Sequence, residues 1–245
     1  MNEKNLINWS LIIPSVSVAL ALFFGLWVLG VHISNHGDST IAVTGSTSQN
    51  IKADQATWRI EVRRTAFTNN TTVNYLQVAK DAAIVANYFK SQNLASSTVT
   101  ESVISTDENY NQDQNAPKTY NIHEAIIVQT ADVDAIDKLS RELGVLTSKV
   151  SVDTLVSPMQ PEYYVSSLPQ LRVSLVGQAV KDAKARAIEI AKSGGSSVGA
   201  LKSASSGVVQ VLAPNSTSVE DYGSYDTSTI QKQVMVTARA VFYVK

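Results

Sequence analysis

Apolar residues recur along this chain in three rhythms, and each predicts a different kind of element. From Asn5 to Gly37 there is no Asp, Glu, Lys or Arg, and the centre of that stretch, residues 11–33, is almost wholly apolar. At about 1.5 Å of rise per residue, such a run is long enough to cross a hydrocarbon core of roughly 30 Å. Trp9 and Trp27 lie towards its two ends, where indole rings favour the membrane–water boundary. Pro14 falls near the first turn, where a missing N–H does least harm. The pattern predicts a short tail at 1–10, a single transmembrane signal anchor at 11–33 and a linker at 34–39. A cleaved secretory signal is the rival reading. Such signals have an apolar region of about 7–15 residues and a small-x-small cleavage site, and Val31-His32-Ile33-Ser34-Asn35 offers no clean one. A buried core helix would normally keep a polar face. Lys4 before the span and Asp38 after it place the N-terminus inside and the body outside.

Beyond the linker the rhythm changes to alternation. Thr40–Thr47 and Thr57–Thr65 each alternate apolar and polar residues, with Trp58, Ile60 and Val62 on one face of the second. The few residues between them, Asn50–Asp54, predict that the two strands pair as a hairpin. Residues 99–106, 119–129, 149–157, 199–212 and 231–244 predict five further strands. Between the third and fourth strands lies DENYNQDQNAP, and between the last two lies Pro214–Thr229; both predict mobile loops.

Three segments repeat at three and four residues instead. Asn70–Gln92 carries Val73, Leu76, Ala79, Ala83, Ala86 and Phe89, with Asn69 or Asn70 as cap. After Asp132, a second cap, come Val133, Ile136, Leu139 and Leu143, with Gly144 as the stop. The longest helix, Leu168–Lys192, opens on a capping-box pattern, Ser167-x-x-Gln170, with Pro169 in the tolerated first turn. Val173, Val176, Ala179, Val180, Ala183, Ala187 and Ile190 form its predicted buried stripe. Asp182 and Arg186 stand four apart as an ion pair, and Gly194-Gly195 ends it. The order after the membrane helix is ββαββαβαββ. That order predicts an α+β body at 40–245, with antiparallel strands and about three helices. A doubly wound parallel sheet would need a helix between successive strands.

Charge narrows the function classes. Setting aside Glu3, Lys4 and Asp38, the 20 basic and 21 acidic residues become 19 of each, so the body is formally neutral. Nucleic-acid binding needs clustered Lys and Arg to displace counterions, and no such cluster stands out. Arg63 and Arg64 are adjacent but point to opposite faces of a strand, as ordinary solvated or paired residues. There is no cysteine, which excludes disulfides, thiolate metal sites and Cys nucleophiles.

From residue 40 to residue 245 the chain resembles the SIMPL-domain, or YggE-like, family, which includes periplasmic and outer-membrane immunogenic proteins. The segment QAVKDAKARAIEIAKSGGSSVGALKSA is similar to the family's Ala-rich helix, its glycine turn and the following Val-Gly. Val43-x-Gly45, Asp54 and residues 131–156 also fit. Ala53, Asn121-Ile122-His123-Glu124 and Thr229-Ile230 stand where family members often carry Pro, Gly-Tyr and Pro-Gly. The resemblance implies an extracytoplasmic α+β protein, sometimes assembled into ring or channel-like oligomers and loosely linked to envelope stress. It carries over no catalytic residue.

The search for chemistry returns bland readings. His32 and His36 stand at helical metal-binding spacing, but only Asp38 accompanies them, and a metal needs three or four ligands. His123-Glu124 opens like a zinc-protease motif, yet residue 127 is Ile and the context is a strand. Gly194–Gly199 has P-loop spacing, but Ala200 replaces the lysine and the segment follows a helix, so it reads as a helix stop. Asp107-Glu108, Asp132-x-Asp134 and Glu220-Asp221 are carboxylate pairs. Asp132-x-Asp134 lacks the rest of a calcium loop and suits a helix N-terminus. Tyr163-Tyr164 and Tyr222-x-x-Tyr225 fit a contact surface or loop packing equally well. The sequons at Asn70 and Asn215 matter only in a glycosylating host.

These residues predict no catalytic, cofactor-binding or metal site and no cofactor. They predict instead a non-enzymatic, membrane-anchored envelope protein that self-assembles or binds another envelope component. A channel-like ring, and a small-ligand receptor or enzyme, are the alternatives.

Overall fold

The computed structural model describes residues 20–28, 39–111, 113, 116–216 and 222–245. The predicted membrane span falls outside these except for residues 20–28, which are helical. Among the described residues no helix is long and apolar enough to cross a membrane.

The body is α+β, as expected, and divides into two helix-on-sheet layers. The first sheet is antiparallel, with β1 (Thr40–Lys52) and β8 (Val198–Leu212) flanking β9 (Gln231–Val244). The second centres on β2 (Gln55–Phe67) and β5 (Thr119–Thr130). It adds β3 (Thr98–Glu101) and β4 (Ser105–Asn109) against β5, and β6 (Leu155–Pro158) and β7 (Glu162–Tyr164) against β2. Helix α1 (Thr71–Lys90), preceded by a 3₁₀ turn at Thr68–Asn70, covers the second sheet. Helices α2 (Val133–Arg141) and α3 (Gly144–Thr147) support its flank. The long helix α4 (Leu168–Ser193) covers β1 and β9.

The predicted β1–β2 hairpin does not form. Every residue of β1 pairs with β9, from Thr40↔Tyr243 to Lys52↔Gln231, whereas β2 pairs with β5. Sequence neighbours usually pair, but here the corner has its own bonds. Ala53 N–H donates to Ile230 O (2.8 Å) and Asp54 N–H to Tyr164 O (3.0 Å). Asp54 also accepts from the N–H (2.8 Å) and hydroxyl (2.6 Å) of Ser166. These bonds carry the chain from one sheet to the other.

The alternation in β2 holds: Ala56, Trp58, Ile60 and Val62 are buried against Ala82, Val85, Ala86 and Phe89 of α1, and Ala66 against Val78 and Ile122. Trp58 and Phe89 meet edge to face at 5.3 Å, and the Trp58 indole donates to Met159 O (2.8 Å). The helix stripes are shifted. On α1, Val73 and Leu76 face solvent while Asn74 and Asp81 are buried. On α4 the buried row is Leu175, Ala179, Ala183, Ala187 and Ala191, and Val173 and Ile190 lie outside it. Ser167 makes no side-chain cap, Gly144 begins α3 instead of ending α2, and β6 starts only at Leu155. Asp132 does cap α2, accepting from Ala135 N–H at 3.2 Å, and Gly194 ends α4.

The tightest contact lies where α4 crosses β1. A Cβ on Gly45 would stand 2.2 Å from Ala179 O and 2.3 Å from Ala183 N. Both are helix backbone, so no side-chain rotation relieves the clash. Beside it, Asp182 accepts from Ser46 N–H (2.8 Å), which holds its carboxyl below the usual range, with Arg186 adding to the effect. Gly45→Val should therefore lower stability by about 3 kcal/mol or prevent folding, the upper range for overpacking; denaturant unfolding measures this, and a change under about 1 kcal/mol would refute the close approach.

Candidate functional site

The histidines and carboxylates singled out in the sequence do not converge. His32, His36, Glu220 and Asp221 lie outside the described residues. His123 and Glu124 point to opposite faces of β5; His123 Nδ1 stands 3.6 Å from Asp107, and Glu124 is buried beside Ile122 and Ile126. Burial, then the nearby Glu101, pushes the Glu124 carboxyl up. Glu108 pairs with Lys118 (2.9 Å) and Asp134 with Lys52. Among the described residues no group of three or more His, Cys, Asp or Glu could hold a metal ion.

Two polar clusters are structural in character. The first joins α1 to β2 and the segment before β6. The Asp81 carboxylate accepts from Gln77 Nε2 (3.1 Å), Ser151 N–H (3.3 Å) and Oγ (3.2 Å), and Thr154 Oγ1 (2.5 Å). The Arg64 guanidinium donates to Asn74 (2.9 Å), Thr154 (2.8 Å) and Asp153 (3.3 Å). Ser151 and Thr154 spend their hydroxyls on Asp81, 70 and 73 residues away in sequence, and β6 begins only after them, at Leu155. Sequence reasoning treated Arg64 as ordinary; the polar row Asn74, Gln77, Asp81 on one helix face was its legible signal.

The second cluster fixes the segment before β9. Lys232 is fully buried, its Nζ donating to Asp226 O and standing 3.7 Å from the Asp226 carboxylate and 5.7 Å from the centre of the Tyr225 ring. Tyr225 accepts from Val165 N–H (2.9 Å) and packs on Tyr164 at 5.9 Å. Residues 222–230 are thus strapped to the body. Of the four tyrosines, Tyr163 is buried, Tyr164 and Tyr225 pack on each other with Tyr225 left 39% exposed, and Tyr222 projects into solvent. Burial pushes the Lys232 ammonium down, partly offset by Asp226. Burial also works against the Asp226 charge, but Ser228, Thr229 and Lys232 outweigh it and bring the carboxyl down to about 2.

An apolar opening lies at the start of α1. A cleft of about 230 Å³ is lined by Thr71, Thr72, Tyr75, Leu76, Thr106 and Ile122. A shallower hollow of about 500 Å³ adjoins it along Phe67–Asn70, closed by Pro117 and Lys118. Of their lining, Phe67, Tyr75 and Leu76 are exposed, Leu76 at 64%, and Val73 on the same turn of α1 is exposed as well. Among the described residues no carboxylate or imidazole lines either hollow. The region can hold an apolar group and offer threonine hydroxyls.

The fold defines an α+β body of two helix-on-sheet layers. Residues 41–242 match the SIMPL family, described as a protein of unknown function (DUF541), and the chain belongs to that family. No curated protein matches. Among solved structures, one from Burkholderia cenocepacia, assigned as an amidohydrolase/peptidase, is similar at 10% identity with a TM-score of 0.28. That likeness covers 54% of this chain and 32% of the other, and is too slight to argue from.

Asp226→Asn should lower stability by about 3 kcal/mol, because it leaves the buried Lys232 ammonium without its countercharge. The sign with pH follows from the lowered folded-state value. Asp226 stabilises the fold fully above its ordinary 3.8 and loses that contribution as pH falls through about 2. Denaturant titrations at falling pH should show this loss in the native chain and a shallower slope in the variant. Equal stability of the two at neutral pH would refute the strap.

Proposed function

We propose that this SIMPL protein is a non-catalytic component of a cell envelope, tethered through residues 11–33 with its N-terminus cytoplasmic and its body outside. In this reading the body joins copies of itself or binds another envelope component. The supporting observation is uncovered apolar surface, and it occurs in two places.

Residues 20–28 read LALFFGLWV, and their large side chains are exposed on every side of the helix, with Phe24 and Trp27 meeting each other at 5.5 Å. A helix apolar all round, with no protein over it, is what a lipid phase solvates. The second place is the start of α1, where exposed Tyr75 and Leu76 line the cleft and exposed Phe67 lines the hollow next to it. Contiguous exposed apolar surface of this kind marks a contact site.

The cleft also favours a second reading, a receptor for a small apolar ligand. A ligand that binds only the native state raises the melting temperature, so a ligand panel separates the two.

The decisive test is the absolute mass of the body, residues 39–245, by light scattering across a dilution series. A discrete oligomer is expected, and Leu76→Glu should return it to the monomer mass while leaving the melting temperature within a few degrees. A native monomer at every concentration would sink self-assembly through the body.

A further inference from the structure

The two layers differ in charge although the body as a whole is neutral. In the second layer Arg63, Arg64, Lys90, Lys118 and Arg141 each have a carboxylate within 4 Å. In the first layer Lys52, Arg186 and Lys232 are paired, while Arg172, Lys181, Lys184, Lys192, Arg239 and Lys245 make no ion pair among the described residues. Only two carboxylate side chains lie on α4, Asp182 and Glu189, and Asp182 is taken by Ser46 and Arg186.

The unpaired cations are placed with exposed apolar residues. Asp182 and Gln178 face β1, bonding to Ser46 and Thr47. Lys184, Ile188 and Lys192, four apart, share a different side of α4, and all three are exposed. Ile188 is 46% exposed. Leu201 on β8, 47% exposed, is in register with Phe242, which packs under α4, so it lies on the same side of the sheet. Lysines bracketing exposed aliphatic side chains are the composition of a surface that lies on a membrane: stems and isoleucine enter the headgroup boundary while ammonium groups meet phosphates.

The position in the chain agrees. Gly45 lies under Ala179 and Ala183, and Val43 packs with Ala183 and Ala187, so α4 runs antiparallel to β1. Its C-terminal turns therefore stand at the same end as Thr40, where the chain comes in from the apolar segment. The seven steps from Ile33 to Thr40 span at most about 24 Å. A tether of that length keeps this end near the headgroups, within a few Debye lengths of about 10 Å.

We infer that the C-terminal half of α4, through Lys184, Ile188 and Lys192 together with Leu201, docks on an anionic lipid bilayer. This rests on the tethered reading for its geometry, and the test separates the two. The chain has no cysteine, so Ser193→Cys gives the full-length protein one labelling site on an exposed residue. The labelled chain is reconstituted into nanodiscs of phosphatidylcholine alone, or phosphatidylcholine with phosphatidylglycerol, carrying an acceptor dye on the headgroups. Energy transfer should at least double in the anionic discs. It should fall back to the neutral-disc value in high salt and in Lys184→Glu/Lys192→Glu, whose melting temperature should match that of the native chain. Equal transfer in the two lipids would overturn the docking surface with the tether intact. Failure of the chain to enter discs at all would overturn the tether. Sedimentation of the same full chain with vesicles of the two compositions then decides the surface, salt-sensitive binding to the anionic ones supporting it and equal sedimentation with both overturning it.

Discussion

The backbone of α4 rests directly on Gly45, and the arrangement of the first layer follows from that contact. Helix backbone can come this close only where the strand has no Cβ and the helix offers alanines, and Gly45 faces Ala179 and Ala183. With larger residues the helix would ride higher, and Asp182 would lose its reach to Ser46 N–H. That bond matters beyond its own strength, because β1 is an edge strand and an edge left bare invites further pairing. The same contact sets the helix over β1 and β9 and away from β8, whose residues 200–206 remain exposed.

The buried alanines of α4 fall at strict intervals of four. Such a row inclines to the helix axis, so it drifts around the helix from Leu175 to Ala191 and follows the twisted sheet beneath. A stripe drawn from hydrophobicity alone favours Val173 and Ile190 over alanine, and both are outside. What was legible was period and chain order: the α+β class, the strands from alternation, Asp132 and Gly194 as helix ends. The partners of the strands were not, because β1 and β2 are separated by two residues yet belong to different sheets. The deciding groups are Asp54, Ser166, Tyr164 and Ile230, distant in sequence and individually unremarkable. The candidate site was illegible for a related reason. Val73 and Leu76 read as core until the Arg64–Asp81 network claims the inward side of α1.

That network inverts the usual polarity of a helix, and the inversion has an energetic logic. Asp81 is buried and receives four hydrogen bonds, and Arg64 is met by three acceptors. A satisfied buried network tolerates little displacement, since losing one member strands the others. It therefore fixes the rotation of α1 about its axis, so Val73 and Leu76 must face outwards. Their exposure is a consequence of the network's geometry.

Charge is sorted in the same manner, by layer and not by sequence. Acidic and basic residues alternate along the chain closely enough to look mixed, and they are mixed wherever α1, α2 and the second sheet bring them together. α4 carries two carboxylates and β9 none, so beyond the Arg186–Asp182 and Lys232–Asp226 pairs their cations lack partners among the described residues. An unpaired cation in water is cheap, so stability gives little reason either to keep or to remove six of them. Their arrangement is therefore free to follow what lies outside the protein. The cations at the end nearest the apolar segment stand beside exposed isoleucine and leucine, which an aqueous surface does not require. A bilayer boundary satisfies both at once, taking the aliphatic groups into its apolar edge and setting phosphates against the lysines.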